Sequence, residues 1–173
     1  PVSAGKSTQG RLLSAVLGRP QVSLDKERWR YYREIGYDDE LAREIRQGGG
    51  FLAMVMYWGQ FDPYSVERLL AEHHDCVCDF GAGIYESREN LERVRRALAP
   101  YPNVFLLLPS LDREESLRIL GERDQAPPVD LNFDFNRHFL QHPSYYELAR
   151  HTIYTAGRTP EETRDEIMGL LVR

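Results

Sequence analysis

The chain opens with PVSAGKST, Pro1–Thr8. The phosphate-binding loop has the pattern G-x-x-x-x-G-K-[ST], and Gly5, Lys6 and Ser7 supply its last three positions. The leading glycine of the pattern would lie immediately before Pro1, as would the strand that normally precedes such a loop. We therefore expect the intact protein to begin several residues earlier, with a first strand before residue 1.

The residue types of this loop suit phosphate binding. Backbone amides of Ser3–Ser7 can point inward at the start of a helix and cradle phosphate oxygens. Lys6 would reach the β- and γ-phosphates as a point charge, and the Ser7 hydroxyl would ligate Mg²⁺. A chance GKST at a helix start is the alternative. The expected nucleotide contacts of the loop are Ser3, Ala4, Gly5, Lys6, Ser7 and Thr8.

Composition favours one globular domain over residues 1–173. Hydrophobic residues make up 42% of the chain and charged residues 28%, which argues against global disorder and against a disulfide scaffold. The net charge of -5 argues against a nucleic-acid partner. No apolar run approaches the ~20 residues of a membrane span. The close pair Cys76 and Cys78 fits a reducing compartment, so we expect a cytoplasmic monomer or small homo-oligomer with no membrane partner.

Short apolar runs alternate with longer amphipathic stretches, and Pro and Gly separate them. The predicted strands are Gln21–Leu24, Asp75–Phe80, Asn103–Leu108 and His151–Thr155. The predicted helices are a first one ending at Leu17, then Lys26–Ile35, Asp38–Ile45, Tyr64–His73, Ser87–Leu98, Leu111–Leu120, Phe135–Ala149 with a break at Pro143, and a last helix capped by Thr159. This alternation predicts an α/β fold around a mainly parallel sheet, with ligands at the carboxyl edge of its strands.

Two aspartates follow predicted strands and would lie at that edge, beside the phosphate loop. Asp25 and Asp79 would each orient Mg²⁺, directly or through water. The alternatives are a helix N-cap for Asp25 and a turn residue before Gly81 for Asp79. Arg28 lies one helical turn from Asp25, which makes it a candidate substrate ligand, although an exposed helix face is the competing interpretation.

Four stretches carry a resemblance to a known family: PVSAGKST, LDKE at Leu24–Glu27, FGAG at Phe80–Gly83 and HPSYYELARHTIYTAGRTPEE at His142–Glu162. With these, the chain resembles the shikimate kinase family of P-loop small-molecule kinases. The resemblance implies a P-loop NTPase three-layer fold with about five strands in the intact protein. It also implies a helical substrate-binding region at about 26–74, a lid at about 121–137, ATP as phosphoryl donor and Mg²⁺.

The resemblance also implies roles for single residues. Lys6 and Ser7 match the phosphate-loop lysine and hydroxyl, and Asp25 matches the first acid of the family's D-x-D motif. Glu27 falls at its second acid, which meets the substrate hydroxyl. Lys6 and a lid arginine, Arg123, would neutralise the transferred phosphoryl group. The remaining implied positions are Gly81, Ala82 and Gly83 in the substrate loop, and Arg118 and Arg158 beside the adenine.

Departures from the family concern the acceptor. The arginine of the family's F-R motif has no counterpart in GGGFLAMVMYWGQFDPYS, residues 48–65, and Gln141 occupies the position of another arginine. Two charged contacts to a carboxylate are thereby lost, so we expect shikimate to be a poor acceptor. The candidates to line the acceptor pocket are aromatic and amide residues: Trp29, Tyr57, Trp58, Gln60 and Tyr64. They suit a sugar, cyclitol or nucleoside.

The sequence therefore predicts a kinase that transfers phosphate from ATP to a hydroxyl of a small polar acceptor. Two other functions stay open. One is a nucleotide-binding regulatory protein without transfer activity. The other is a nucleic-acid end kinase, against which the acidic net charge argues.

Overall fold

The computed structural model describes residues 1–81, 87–124 and 134–171. Helices dominate this part of the chain, and the strands are short. The helices are α1 (Lys6–Leu17), α2 (Leu24–Glu34), α3 (Asp39–Gly59), α4 (Asp62–Glu72), α5 (Arg88–Leu98), α6 (Arg113–Arg123), α7 (Phe135–Gln141), α8 (Ser144–Leu148) and α9 (Pro160–Leu170). The strands are β1 (Gln21–Ser23), β2 (Val77–Asp79), β3 (Phe105–Leu108) and β4 (His151–Tyr154).

Helix ends confirm the predicted caps. The Thr159 side chain accepts a hydrogen bond from the Glu162 amide, and the Glu162 carboxylate accepts one from the Thr159 amide. This reciprocal pair is the capping box predicted from TPEE, and Pro160 occupies the first turn of α9. Ser87 likewise caps α5, by accepting from the Asn90 amide. Local hydrogen-bonding chemistry thus fixes where these helices begin.

Helix α3 is longer than the sequence predicted. The predicted helix ended at Ile45, before the three glycines 48–50, but α3 continues through them. Of these glycines only Gly50 is non-helical, with φ 75° and ψ -168°. The glycines therefore kink the helix without ending it, because the helical segment after Gly50 buries Phe51 and Val55. Helix α4 begins earlier than expected, at Asp62, since a proline such as Pro63 is tolerated in a first turn.

The expectation of a mainly parallel sheet in a P-loop NTPase three-layer fold is wrong. In the described residues, β1 pairs only with β2, and β3 pairs only with β4, each in parallel. The registers run from Gln21 opposite Val77 and from Phe105 opposite His151. The chain is thus a helix-rich α/β protein with two separate two-stranded sheets.

Two apolar cores flank the two sheets. One core gathers around β3 and β4 with Leu13, Leu120 and Ile167, and a second gathers Leu24, Val66 and Val94 from helices beside β1 and β2. A largely apolar cavity of about 1090 Å³ lies between them, lined by the consecutive residues 73–81 of the β2 side and 101–107 of the β3 side. Helix α1 belongs to both sides, because Leu13 lies in the first core and Ser7 bonds to Asp79 of β2. That cavity is called the inter-sheet cavity below.

Helix length and hydropathy also bear on the membrane prediction. Within the described ranges, no helix combines the length and the apolar character needed to cross a bilayer. That finding agrees with the sequence, where charged residues interrupt every long helix.

Candidate functional site

The phosphate loop turns tightly into α1. Ser3 and Gly5 both adopt left-handed backbone conformations, with φ 58° and 92°. Gly5 is the N-cap of α1, and no side chain in the described part of the chain caps this helix end. The first amides of α1 therefore point out of the helix without a side-chain acceptor, which is the arrangement that binds anions. Buried Ala4 holds the turn against the core around β3 and β4.

Ser7 and Asp79 join the loop to the end of β2. The Ser7 hydroxyl donates to Asp79 Oδ2 over 2.6 Å, and the Gly81 amide donates to Asp79 Oδ1 over 3.1 Å. Asp79 is only 5% exposed. Both carboxylate oxygens are therefore bonded, and Asp79 fixes the direction of the Ser7 hydroxyl. Because Ser7 donates its proton to Asp79, its oxygen lone pairs remain available to a cation.

Asp25 reaches the same place from the first turn of α2. A Cβ added at Gly81, where φ is 62°, would collide with the Asp25 carboxylate, so the two are in close approach. The Arg28 guanidinium forms an ion pair with Asp25 and is buried to 8% exposure. Arg28 thus orients Asp25, while Asp25 itself is exposed. The structure brings Asp25, Asp79 and Gly81 together, and their roles in binding stay a prediction.

Lys6 is the cation of this cluster. Its Nζ donates to the Pro1 carbonyl, so the side chain curls over the loop. Burial lowers the pKa of Lys6 below its usual value, whereas the carboxylates of Asp79 and Asp25 act in the opposite direction. Lys6 therefore lies within electrostatic reach of both aspartates. A phosphate group entering the loop would add negative charge beside Lys6 and favour its charged form.

The donors present fit Mg²⁺ better than a soft metal. Ser7, Asp25 and Asp79 offer hard oxygen atoms, which Mg²⁺ prefers. Within the described residues, no group of three or more His, Cys, Asp or Glu side chains is arranged to hold a metal ion. A cation here would depend on the Ser7 oxygen, on carboxylates acting through water and on phosphate oxygens. Mg²⁺ is commonly bound in this way, beside substrate phosphates.

Substrate residues expected from the sequence are placed less tightly. Glu27 is half-buried on α2 and pairs with Arg30 at 3.1 Å. Gln141 is the exposed last residue of α7. Ala82 and Gly83 of the expected substrate loop, and residues 125–133 of the expected lid, lie outside the described residues.

The arginines expected around the nucleotide have other partners. Arg118 pairs with Glu122 at 2.6 Å on an exposed face of α6. Arg158 forms an ion pair with Glu166 of α9. Arg123 ends α6 and donates to Thr155 Oγ1 at 3.2 Å. A role at the nucleotide would require each of them to exchange these partners.

The aromatic residues proposed to line an acceptor pocket pack largely on one another. The rings of Trp29 and Trp58 meet edge to face, with centroids 5.3 Å apart. Gln60 donates to the Tyr57 carbonyl at 3.0 Å, and the Tyr64 hydroxyl donates to Glu34 at 2.7 Å. These contacts give the aromatic group a structural role between α2, α3 and α4.

Sequence reasoning did not identify a second set of residues next to Ser7. Arg11, Gln21 and His73 line a cavity of about 480 Å³ together with Ser7 and Thr8. Arg11 lies one turn after Ser7, so helical spacing could have placed it on the same face. His73 follows α4, and nothing in its local sequence connects it to the phosphate loop.

No model of a known protein family matches this chain, and no curated protein matches it. The resemblance to shikimate kinases therefore depends on the residues quoted above. What the site can do has to be argued from its own geometry.

Proposed function

We propose that this protein transfers the γ-phosphoryl group of ATP, in a Mg²⁺-dependent reaction, to a hydroxyl of a small polar molecule such as a sugar, cyclitol or nucleoside. The observation that carries the proposal is the hydrogen bond from Ser7 to Asp79, 2.6 Å long, at the foot of the GKST turn. It joins the loop that would hold phosphates to a buried acid that would support a cation. The proposal depends on this local arrangement and on the family resemblance.

Phosphate binding is supported by three features of the loop. The left-handed turn at Gly5 presents the first amides of α1 to an incoming anion. Lys6 adds a positive charge beside them, and negative charge on a phosphate would compete with the Pro1 carbonyl for its ammonium protons. Mg²⁺, when bound, would neutralise charge on the phosphate oxygens. Ser7 would hold it, and Asp79 would keep the Ser7 oxygen correctly directed.

The acceptor hydroxyl would approach from the side of α2. Asp25 and Glu27 are the two acids there, and either would orient the hydroxyl and accept its proton. Arg28 keeps the Asp25 carboxylate in place beside Gly81. Arg123, at the end of α6, is the expected lid cation, and it would leave Thr155 to reach the transferred group.

The test is Lys6→Ala, measured as ATP consumption across a panel of sugars, cyclitols and nucleosides, with shikimate included. We expect turnover to fall by about 10²-fold or more, because one preorganised charge on the reacting group is lost. Arg150→Ala, which removes an exposed cation after α8, is the matched control and should keep activity. Circular dichroism checks that both variants fold.

Two results would count against the proposal. Unchanged turnover in Lys6→Ala would remove the phosphate loop from the reaction. Efficient, saturable phosphorylation of shikimate would contradict the proposed acceptor class.

A nucleotide-binding regulatory protein without transfer activity is the second candidate. The hydrogen bond from Arg123 to Thr155 favours it, because the cation expected to act on the transferred phosphoryl group already has another partner. ATP binding that depends on Lys6, with no phosphorylated product from any acceptor, would support this candidate over the kinase.

A further inference from the structure

The cavity beside Ser7 adjoins the turn that would hold ATP phosphates and shares Ser7 and Thr8 with it. It has a volume of about 480 Å³ and lies between α1, β1 and α2. Its hydroxyl and amide donors come from Thr8, Ser23 and Gln21, since the Ser7 hydroxyl already donates to Asp79. The Gln21 amide also donates to the Ser7 carbonyl over 3.3 Å, which ties β1 to the first turn of α1. The volume falls within the usual range for small-molecule sites.

The charges around this cavity are mainly positive. Arg11 and Lys26 both line it and are exposed, and neither forms an ion pair with any described residue. Glu27 is the acid of the lining, and its carboxylate is already paired with Arg30 at 3.1 Å. Two unneutralised cations thus face one small cavity in a chain whose net charge is -5. Such a combination attracts an anionic ligand.

His73 adds a polar atom that lacks a partner. Its Nε2 is buried and makes no hydrogen bond within the described part of the chain. Because an unpaired buried polar atom costs free energy, a ligand that bonded to it would gain affinity. His73 lines this cavity and also the inter-sheet cavity.

We propose that this cavity binds the phosphate group of the acceptor, so that the acceptor is a phosphomonoester of a sugar or cyclitol. This inference rests on the proposed function. A phosphate dianion suits two separate cations with several hydroxyl and N–H donors around them, whereas a carboxylate is best held by one bidentate arginine. Ser7 and Glu27 line the cavity, so the rest of the acceptor lies next to the phosphate loop.

The transfer step then follows from this placement. An acceptor hydroxyl oxygen forms a bond to the γ-phosphorus of ATP, and the bond from that phosphorus to the β-phosphate oxygen breaks to release ADP. The hydroxyl proton passes to the Glu27 carboxylate. The product is a bisphosphate of the sugar or cyclitol.

The experiment is calorimetric binding to the full chain with ADP and Mg²⁺ saturating. Each probe is paired with its dephosphorylated form: glucose 6-phosphate with glucose, ribose 5-phosphate with ribose, and inositol 1-phosphate with inositol. We expect at least one phosphomonoester to bind about tenfold or more tightly than its partner. The double variant Arg11→Ala/Lys26→Ala should abolish that difference, and Arg150→Ala should leave it intact.

Inorganic phosphate and glucuronate are the further arms of the experiment. Free phosphate that binds as tightly as every phosphomonoester would show an ion site and overturn the assignment to an acceptor. Glucuronate that binds as tightly as glucose 6-phosphate would overturn the choice of phosphate over carboxylate. Equal binding within every pair would also show that the inference is wrong.

Failure of the kinase proposal and failure of the phosphomonoester site give different results. If this protein binds a phosphomonoester but does not bind ATP, the kinase proposal is contradicted and the anion site remains. If ATP turnover depends on Lys6 but occurs only with neutral acceptors, the kinase proposal stands and the phosphomonoester site is contradicted.

Discussion

At Gly81, a missing side chain lets the Asp25 carboxylate lie against the backbone. We expect Gly81→Ala to cost about 1–2 kcal/mol of stability, because φ is 62° there. A Cβ would also displace Asp25, so ATP turnover should fall by more than the loss of stability explains. Denaturant unfolding and ATP consumption measure the two effects.

Gly169 provides the matched control. It lies in α9, and a Cβ there would meet no atom of the described residues within 4 Å. Gly169→Ala should raise stability by about 0.5–1 kcal/mol and leave turnover unchanged. Equal turnover in the Gly81→Ala and Gly169→Ala proteins would show that the position of Asp25 is irrelevant to the reaction.

We expect the two cysteines to differ in reactivity. Cys76 Sγ and Cys78 Sγ are 3.5 Å apart, and burial, with a smaller contribution from Cys76, raises the pKa of Cys78 to about 12. At pH 8 the Cys78 thiol therefore stays protonated, and the thiolate is the reactive form. We expect iodoacetamide at pH 8 to alkylate Cys76 well before Cys78, as read by peptide mass spectrometry. Faster alkylation of Cys78 would contradict the pKa assigned to it.

Helix α9 depends on its N-terminal capping box. Thr159→Ala should lower the free energy of unfolding by about 1 kcal/mol, since it removes the acceptor for the Glu162 amide. Thr159→Ser keeps the hydroxyl and is the matched control. A loss of equal size in both variants, measured by denaturant unfolding, would show that the side-chain bond is unimportant.

The same box makes stability depend on pH. Hydrogen bonds from the Thr159 backbone and side chain lower the pKa of Glu162 below its usual 4.5. The folded protein therefore releases this proton more readily than the unfolded chain, and the resulting stabilisation is present above the unfolded pKa. It is lost as the pH falls through the folded value. Glu162→Gln should remove this part of the acid dependence.

Element boundaries were largely predictable, because they follow local chemistry. Thr159 and Ser87 cap helices where the sequence placed them, and the four strands fall inside their predicted ranges. The glycines before Phe51 suggested the end of a helix, whereas the helix kinks at Gly50 and then resumes. Glycine permits the positive φ that a kink requires, but it does not decide whether the helix resumes. That depends on the surface that Phe51 and the residues after it can bury.

The pairing of strands was not predictable from such patterns. Alternation of strands and helices favoured one sheet, which would require β2 and β3 to belong to the same sheet. Whether two strands pair depends on residues far apart in sequence, and no local motif encodes it. The loop-to-acid contact between Ser7 and Asp79 was closer to prediction, since the carboxyl end of β2 was expected near the phosphate loop. The cavity around Arg11 and His73 escaped prediction, because it joins parts of the chain far apart in sequence.

The inter-sheet cavity has a consequence for backbone exchange with solvent. Val77 N–H bonds to the Pro20 carbonyl, on the β1 side, and the Val104 and Leu108 carbonyls accept bonds from the β4 side. Successive residues of a strand direct their backbone groups to opposite sides, so the Cys78 and Leu107 amides face the cavity.

In deuterated buffer, the amides of Cys78 and Leu107 should therefore exchange by small local openings, long before the free energy of global unfolding is reached. Val77 and Leu106, their immediate neighbours in the paired ladders, should exchange much more slowly. Such an alternation, resolved residue by residue by NMR, would place the least protected sheet amides in the interior of the molecule. Uniform protection along β2 and β3 would contradict it.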